Sequence, residues 1–433
     1  MEQFGKQADD PDTEFVKVSR VSADKFSMET PSTGSGPAAR PSRRSKRPPS
    51  SRRRAELALG RSMSNRRVLG GAIAVALVLA VPGASVLPNS DTATTAGRSG
   101  GATEPAIRGS ADSRRISQPE LKPAAAASTK KPAGTARITN HLSGLPWVSG
   151  VYARGQGVAG VKRFGAWRGA PVDVVVDWPA RQTWDDIVNP AWLYNIWKNT
   201  PYTKAFGVAP VPEGDASATM AGCAAGLYNS KWRQFGANIK AAGLDDETVI
   251  RLGWEFNGDW YKWQAKNPRQ FVSCWRQIVR SAERTAPALL WEWTVNRGKG
   301  ASVVDARKAY PGDAYVDIVG IDSYDMWPGV TSEADWARQY SGPYGLKFWS
   351  DFARSRGKKV SVPEWAVYPA NAGSNGGDNA FYISKMRGFF KSQGSHLAYE
   401  AYFNESAAYV SGSLFGPTQN PAAAARYRSL FRR

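Results

Sequence analysis

From residue 146 onward, short apolar runs alternate with longer amphipathic stretches. The apolar runs fall at 150–153, 172–178, 205–211, 248–254, 289–295, 316–324, 359–364 and 397–403. They are too short for packed helices and rich in Val, Ile, Trp and Tyr, which suits strands. Between them, 230–242, 268–285, 345–356, 379–393 and 421–431 predict helices. Asn267-Pro268 and Asn420-Pro421 put a capping residue ahead of a proline, a helix-start signal. Gly243, Gly357 and Gly394 stand where helices should stop. Eight strands, each followed by a helix or a long loop, predict an α/β fold of the (β/α)8 TIM barrel type, which takes ~250 residues. An open doubly wound sheet is the alternative, but no Gly-rich phosphate loop follows the first strand.

The first 145 residues lack this alternation. Residues 1–67 hold 15 Lys/Arg against 8 Asp/Glu and are dominated by Pro, Ser, Gly and Arg, a composition that predicts a disordered basic cytoplasmic segment. Residues 68–87 are twenty consecutive uncharged positions, close to the ~20 that cross a ~30 Å hydrocarbon layer. Arg52, Arg53, Arg54, Arg61, Arg66 and Arg67 precede this stretch, and only Arg98 and Arg108 follow within similar reach. The positive-inside rule then predicts a transmembrane signal anchor, with a cytoplasmic N-terminus and everything beyond it extracytoplasmic. Secretion after cleavage is the alternative, although the basic region is longer than a signal peptide uses. Residues 88–145, rich in Ala, Thr, Ser, Gly and Pro, read as a flexible linker, which leaves 146–433 as the folded domain.

Net charge changes this picture less than its size suggests. The chain has 57 Lys/Arg and 37 Asp/Glu, or +20, which invites a nucleic-acid reading. Residues 1–67 contribute +7, 88–145 contribute +4 and 146–433 contribute +9. The densest basic run, 40–54, has no interleaved aromatic residues for base stacking and lies close to the apolar stretch. Topology and attraction to an anionic membrane leaflet account for it, and no nucleic-acid partner is expected. All 17 Trp lie beyond residue 146. Two His and two Cys, with no CxxC, are too few for a zinc cluster or iron–sulfur centre, so no metal or cofactor is expected. Cys223 and Cys274, in a domain expected outside the cytoplasm, form a candidate disulfide. The absence of Gly-x-Ser-x-Gly argues against an α/β-hydrolase.

In a barrel of this kind, chemistry sits at the C-terminal ends of the strands. Glu255 closes the fourth apolar run and Glu364 the seventh. They are 109 residues apart, about three β/α units. Two carboxyl groups facing each other across a barrel mouth suit glycoside hydrolysis, one as a protonated acid and one ionised. A gap of ~5–5.5 Å gives retention of configuration and ~6.5–9.5 Å gives inversion.

Three stretches resemble a known family. Arg251-Leu-Gly-Trp-Glu255-Phe-Asn257-Gly258-Asp-Trp260, Tyr310-Pro-Gly-Asp313 through Val-Asp317-Ile-Val-Gly320-Ile-Asp322-Ser-Tyr324-Asp325, and Ser361-Val-Pro-Glu364-Trp365 are similar to motifs of family 26 glycoside hydrolases. These are β-mannanase-like enzymes of a retaining (β/α)8 clan with two catalytic glutamates. The resemblance implies Glu255 as general acid/base, Glu364 as nucleophile, and Tyr324 as the phenol that orients the nucleophile. It implies a retaining endo-β-glycosidase with a polysaccharide as its partner. Mannan-cleaving members usually carry His directly before the acid/base. Here that position is Trp254, so β-mannan, β-glucan and bacterial exopolysaccharide all stay open as substrates. A binding module that keeps the barrel but has lost turnover is the alternative function.

Aromatic and amide groups near the two glutamates are the expected substrate contacts, because indole rings stack on apolar sugar faces. They are Trp254, Asn257, Trp260, Trp263, Trp327 and Trp365. Trp291 and Trp293 on the fifth strand are divided between core and site. Glu213, Glu292 and Glu400 read as structural or solvated, and Asn404 and Glu405 as possible substrate contacts.

Overall fold

The computed structural model describes residues 138, 141–246, 248–368, 375–407 and 410–433. The expected basic segment and transmembrane anchor, and most of the expected linker, lie outside the described residues. Among the described residues, no helix is long and apolar enough to cross a membrane.

Eight parallel strands close into a barrel in chain order, β1 pairing with β8. They are β1 (Ser149–Tyr152), β2 (Val174–Asp177), β3 (Thr203–Val208), β4 (Val249–Leu252), β5 (Leu290–Asn296), β6 (Ile318–Tyr324), β7 (Lys359–Ala366) and β8 (Leu397–Phe403). Each arises in one of the eight apolar runs. The helices outside it are α1 (Gly157–Arg168), α2 (Trp184–Val188), α3 (Ala191–Trp197), α4 (Met220–Ala224), α5 (Asn229–Ala241), α6 (Pro268–Ala282), α7 (Glu333–Ser341), α8 (Leu346–Ser355), α9 (Ala380–Gln393) and α10 (Pro421–Phe431). Between β5 and β6 the described chain makes 3-10 turns at Ala306–Ala309 and Asp313–Tyr315 instead of an α-helix, in a stretch interrupted by Gly298, Gly300, Pro311 and Gly312.

Local chemistry explains the helix bounds. Asn267 caps α6 by accepting from Gln270 N at 3.2 Å, with Pro268 in the first turn. The spacing of Phe271, Cys274, Trp275, Ile278 and Val279 buries one face of α6 against the barrel, each large side chain contributing about 1.5–3 kcal/mol. Asn420 departs from the expected cap. Its amide donates to Ser411 O and Ser413 O, and the first turn of α10 is capped by a distant acid, Asp378, which accepts from Ala422 N and Ala423 N at 2.8 and 2.7 Å. Gly243, Gly357 and Gly394 all have positive φ where helices end.

The packed unit begins before the expected boundary at 146. Ser143 N and Oγ each donate to the Asp173 carboxylate at 2.6 Å, and Ser149 N donates at 2.8 Å. These bonds lie at the N-terminal end of the barrel. Beside them Glu400 on β8 accepts from Trp147 Nε1 at 3.3 Å and Trp365 Nε1 at 2.7 Å. These buried carboxyl groups thus have hydrogen-bond donors supplied. Cys223 and Cys274 are disulfide-bonded, Cα atoms 4.8 Å apart, tying α4 to α6.

Candidate active site

The candidate residues converge at the opposite end, where β4 to β7 finish. After β4 the chain turns through Gly253 and Glu255, with φ of 54° and 53°. A left-handed glutamate is uncommon and costs about 1–3 kcal/mol. The turn is held by Glu255 N donating to Thr294 O at 3.1 Å and Gly258 N donating to Glu255 O at 2.9 Å. The Glu255 carboxyl accepts from Asn296 Nδ2 at 2.8 Å and Trp260 Nε1 at 3.2 Å. Trp260 reaches it by folding over Gly258, where a Cβ would meet the indole at 2.3 Å.

Glu364 lies on β7. Its Oε2 accepts from the Tyr324 hydroxyl, at the end of β6, at 2.8 Å. Its Oε1 is 2.8 Å from Arg251 Nη2 as an ion pair, yet no donor meets that oxygen in hydrogen-bond geometry. Arg251, on β4, is fully buried. Its Nη2 also contacts both Asp322 oxygens at 2.9 and 2.8 Å, and its Nε lies 3.2 Å from Glu292 Oε1. Register explains that contact, since Arg251 and Glu292 are Cα partners across β4 and β5. Glu292 is further held by Ser361 Oγ, Tyr399 OH and Thr294 Oγ1 at 2.7–2.8 Å. Gly320 leaves room for this carboxylate, because a Cβ there would come within 2.8 Å of Oε1.

Burial and these contacts set the protonation of Glu255. Burial, and then the charge of Glu364, push the Glu255 carboxyl from 4.5 up to about 8, against the opposing pull of Arg251 and the bonds from Trp260 and Asn296. Glu255 therefore keeps its proton at neutral pH. Burial and then the charges of Glu364 and Glu255 hold the Tyr324 phenol well above its ordinary range, so it stays a donor. Burial opposes the charge of Arg251, but Asp322, Glu364 and Glu292 outweigh it and keep the guanidinium protonated.

The aromatic residues divide. Trp260 and Trp327 are half-buried at the mouth, and Trp327 shares the left-handed backbone of Glu255 with φ 53°. Trp263 and Trp365 are fully covered. Trp263 donates to Trp254 O at 2.9 Å and stacks on Tyr261 at 4.3 Å. Trp365 follows Glu364 in a strand, so the two-residue period turns it away from the mouth onto Phe390, Tyr427 and Phe431. Trp254 is packed among Trp178, Tyr261 and Trp263. Asn257 is buried with its amide bonded to Asn296 N and O at 2.9 Å, bracing the residue that holds Glu255. Trp291 and Trp293 lie in the core. Asn404 staples Leu414 and Phe415, and Glu405 pairs with Arg154 at 3.1 Å.

Sequence reasoning gave no site role to Arg251, Asp322 or Asn296, and read Glu292 only as structural or solvated. The available signal was a single charged residue inside each of three apolar strands, since a buried charge needs partners.

Residues 238–365, from within α5 to β7, match the sequence profile of glycosyl hydrolase family 26. A mannan endo-1,4-beta-mannosidase of Bifidobacterium adolescentis is 26% identical over 148 residues, covering 32% of this chain and 15% of that protein's length. Among solved structures, the catalytic domain of a Bacillus sp. JAMB-750 endo-beta-1,4-mannanase is 16% identical, with 67% of this chain and 86% of that one covered at a TM-score of 0.49. A Bacteroides ovatus beta-mannanase is 13% identical, with 70% and 94% covered at a TM-score of 0.49. The chain is a glycosyl hydrolase family 26-like protein, and the matched segment contains Arg251, Glu255, Tyr324 and Glu364.

Proposed function

We propose that this chain is a glycoside hydrolase that cleaves internal β-linkages of a polysaccharide by double displacement. The observation that carries this reading is the unequal pair at the mouth: a buried glutamate kept protonated and a second one ion-paired to Arg251 and bonded to Tyr324. Glu364 attacks the anomeric carbon while Glu255 gives its proton to the departing oxygen, which forms a glycosyl ester and a free chain end. Glu255, now ionised, takes a proton from water. That water attacks the same carbon, frees Glu364, and leaves the anomeric configuration retained. Tyr324 and Arg251 keep the Glu364 carboxylate in position and lower the cost of its burial. Trp260 and Trp327 offer indole faces for the sugar rings beside the scissile bond.

The substrate is a β-glycan of the mannan or glucan type, or a bacterial exopolysaccharide. The mannan activity of the Bifidobacterium relative supports the first, and Trp254 in the place of His keeps the others in play. The Cys223–Cys274 disulfide supports an extracytoplasmic location, consistent with residues 68–87 as a membrane anchor.

The test is release of reducing ends from a panel of mannans, mixed-linkage glucans, xylans and exopolysaccharides, with Glu255→Gln beside the native chain. Release from at least one β-glycan, and almost none by the variant, is expected. No release from any β-glycan, or equal release by Glu255→Gln, overturns the reading.

A further inference from the structure

One flank of the molecule, away from the two glutamates, carries an unbalanced charge. α5 bears Lys231, Arg233 and Lys240, and α6 bears Arg269, Arg276 and Arg280. Neither helix contains an acidic residue. The two helices pack closely at Gly236, where a Cβ would meet Thr285 Oγ1 at 2.3 Å and Ala282 O at 2.5 Å. Arg233 thereby comes beside Arg280 and Arg284, and the three line a cleft of about 330 Å³ with Asn229, Gln277 and Ser281.

Three features set this cleft apart from an ordinary solvated cationic surface. Several arginines elsewhere pair with a nearby acid, as Arg307 does with Asp305, Arg338 with Asp335 and Arg354 with Asp351. Among the described residues Arg233, Arg280 and Arg284 form no ion pair, and the nearby Glu283 accepts from Trp291 Nε1 at 3.1 Å. Arg280 is also held in place, beside Arg276. Arg280 Nε donates to Arg276 O at 3.1 Å, and both guanidinium groups lie over the Tyr315 ring, at 5.6 and 5.3 Å. The lining is fixed as well: Asn229 Nδ2 donates to Gln277 Oε1 at 3.1 Å, and Gln277 lies one turn beyond disulfide-bonded Cys274.

We propose that this cleft binds the acidic sugars of an anionic polysaccharide. Guanidinium groups match carboxylate and phosphate geometry with paired hydrogen bonds. The Gln277 and Asn229 amides and the Ser281 hydroxyl suit the neutral hydroxyls that flank such a charge. An anionic lipid surface held by more than charge alone would call for apolar side chains to insert, and a single-stranded nucleic acid for aromatic faces. The cleft lining has neither.

The test is affinity electrophoresis of the full chain through gels containing polygalacturonate. The native form is compared with Arg233→Ala/Arg280→Ala/Arg284→Ala and with the triple Arg→Lys variant, and residues 1–67 are common to all. Retardation of the native chain, at least tenfold weaker in the alanine variant and several-fold weaker in the lysine variant, is expected. Hydrolysis of a neutral glycan, read in parallel, should be unchanged, so failure here and failure of the catalytic reading are separable. No retardation of the native chain, or equal retardation of the alanine variant, overturns the proposal. Equal retardation of the lysine variant reduces the cleft to nonspecific charge and also overturns it. So does loss of binding to phosphatidylglycerol vesicles by the alanine variant while polygalacturonate binding is kept.

Discussion

The two ends of this barrel both bury carboxyl groups, but they treat them differently. At the closed end, Asp173 accepts three hydrogen bonds from Ser143 and Ser149, and Glu400 accepts two indole N–H groups. At the open end, Arg251 is shared among Glu292, Asp322 and Glu364, while Arg251 Nη1 and Glu364 Oε1 lack hydrogen-bond partners. Burying a polar atom without a partner costs about 1–3 kcal/mol. The closed end supplies donors to both of its carboxyl groups, so they serve a structural role. The open end bears that cost, and a strained Glu255 besides, which is how a site keeps groups available for a reacting molecule.

The largest effect expected from this contrast is on stability, at the closed end. Asp173→Ala leaves three buried donors without an acceptor, and chemical denaturation should show a loss of about 3 kcal/mol or more. Glycan hydrolysis per folded molecule should stay within about twofold, because Asp173 belongs to the end away from the mouth. A variant that folds normally but loses turnover would break the division between the two ends.

The next effect sharpens the open end. Glu255 must be protonated to act as the acid, and burial together with Glu364 raises it to about 8. The kcat/KM profile should therefore be level just below that pH and fall about tenfold per unit above it. The same shift has a signed consequence for folding. The folded state holds a proton that the unfolded state releases near 4.5, so the Glu255 contribution to stability declines as pH rises from 4.5 to about 8. An alkaline limb two units lower would mean that Glu255 is not the acid.

Much of the fold was legible because strands in a parallel barrel are covered on both faces and read as short apolar runs. All eight runs became β1 to β8. The positions of Glu255 and Glu364 followed from the ends of two such runs. What sits beneath them did not follow from linear order. Arg251 meets Glu292, Asp322 and Glu364 only once β4 to β7 are set in register. Proximity in sequence to a glutamate was also a poor guide to exposure. Trp365 follows Glu364 yet faces the helices, a result the two-residue period of a strand gives directly. Trp263 and Asn257 follow an irregular turn, where no period applies, and their burial came from local packing. The cap of α10 by Asp378 belongs to the same class of long-range contact.

The most direct test of double displacement at Glu364 is Glu364→Ala assayed with and without azide on the glycan that the native chain cleaves. The variant should show no detectable hydrolysis, and partial recovery with azide through an α-glycosyl azide, since azide would enter on the face Glu364 vacates. Undiminished hydrolysis by the variant, or a β-glycosyl azide as the rescue product, would contradict that mechanism.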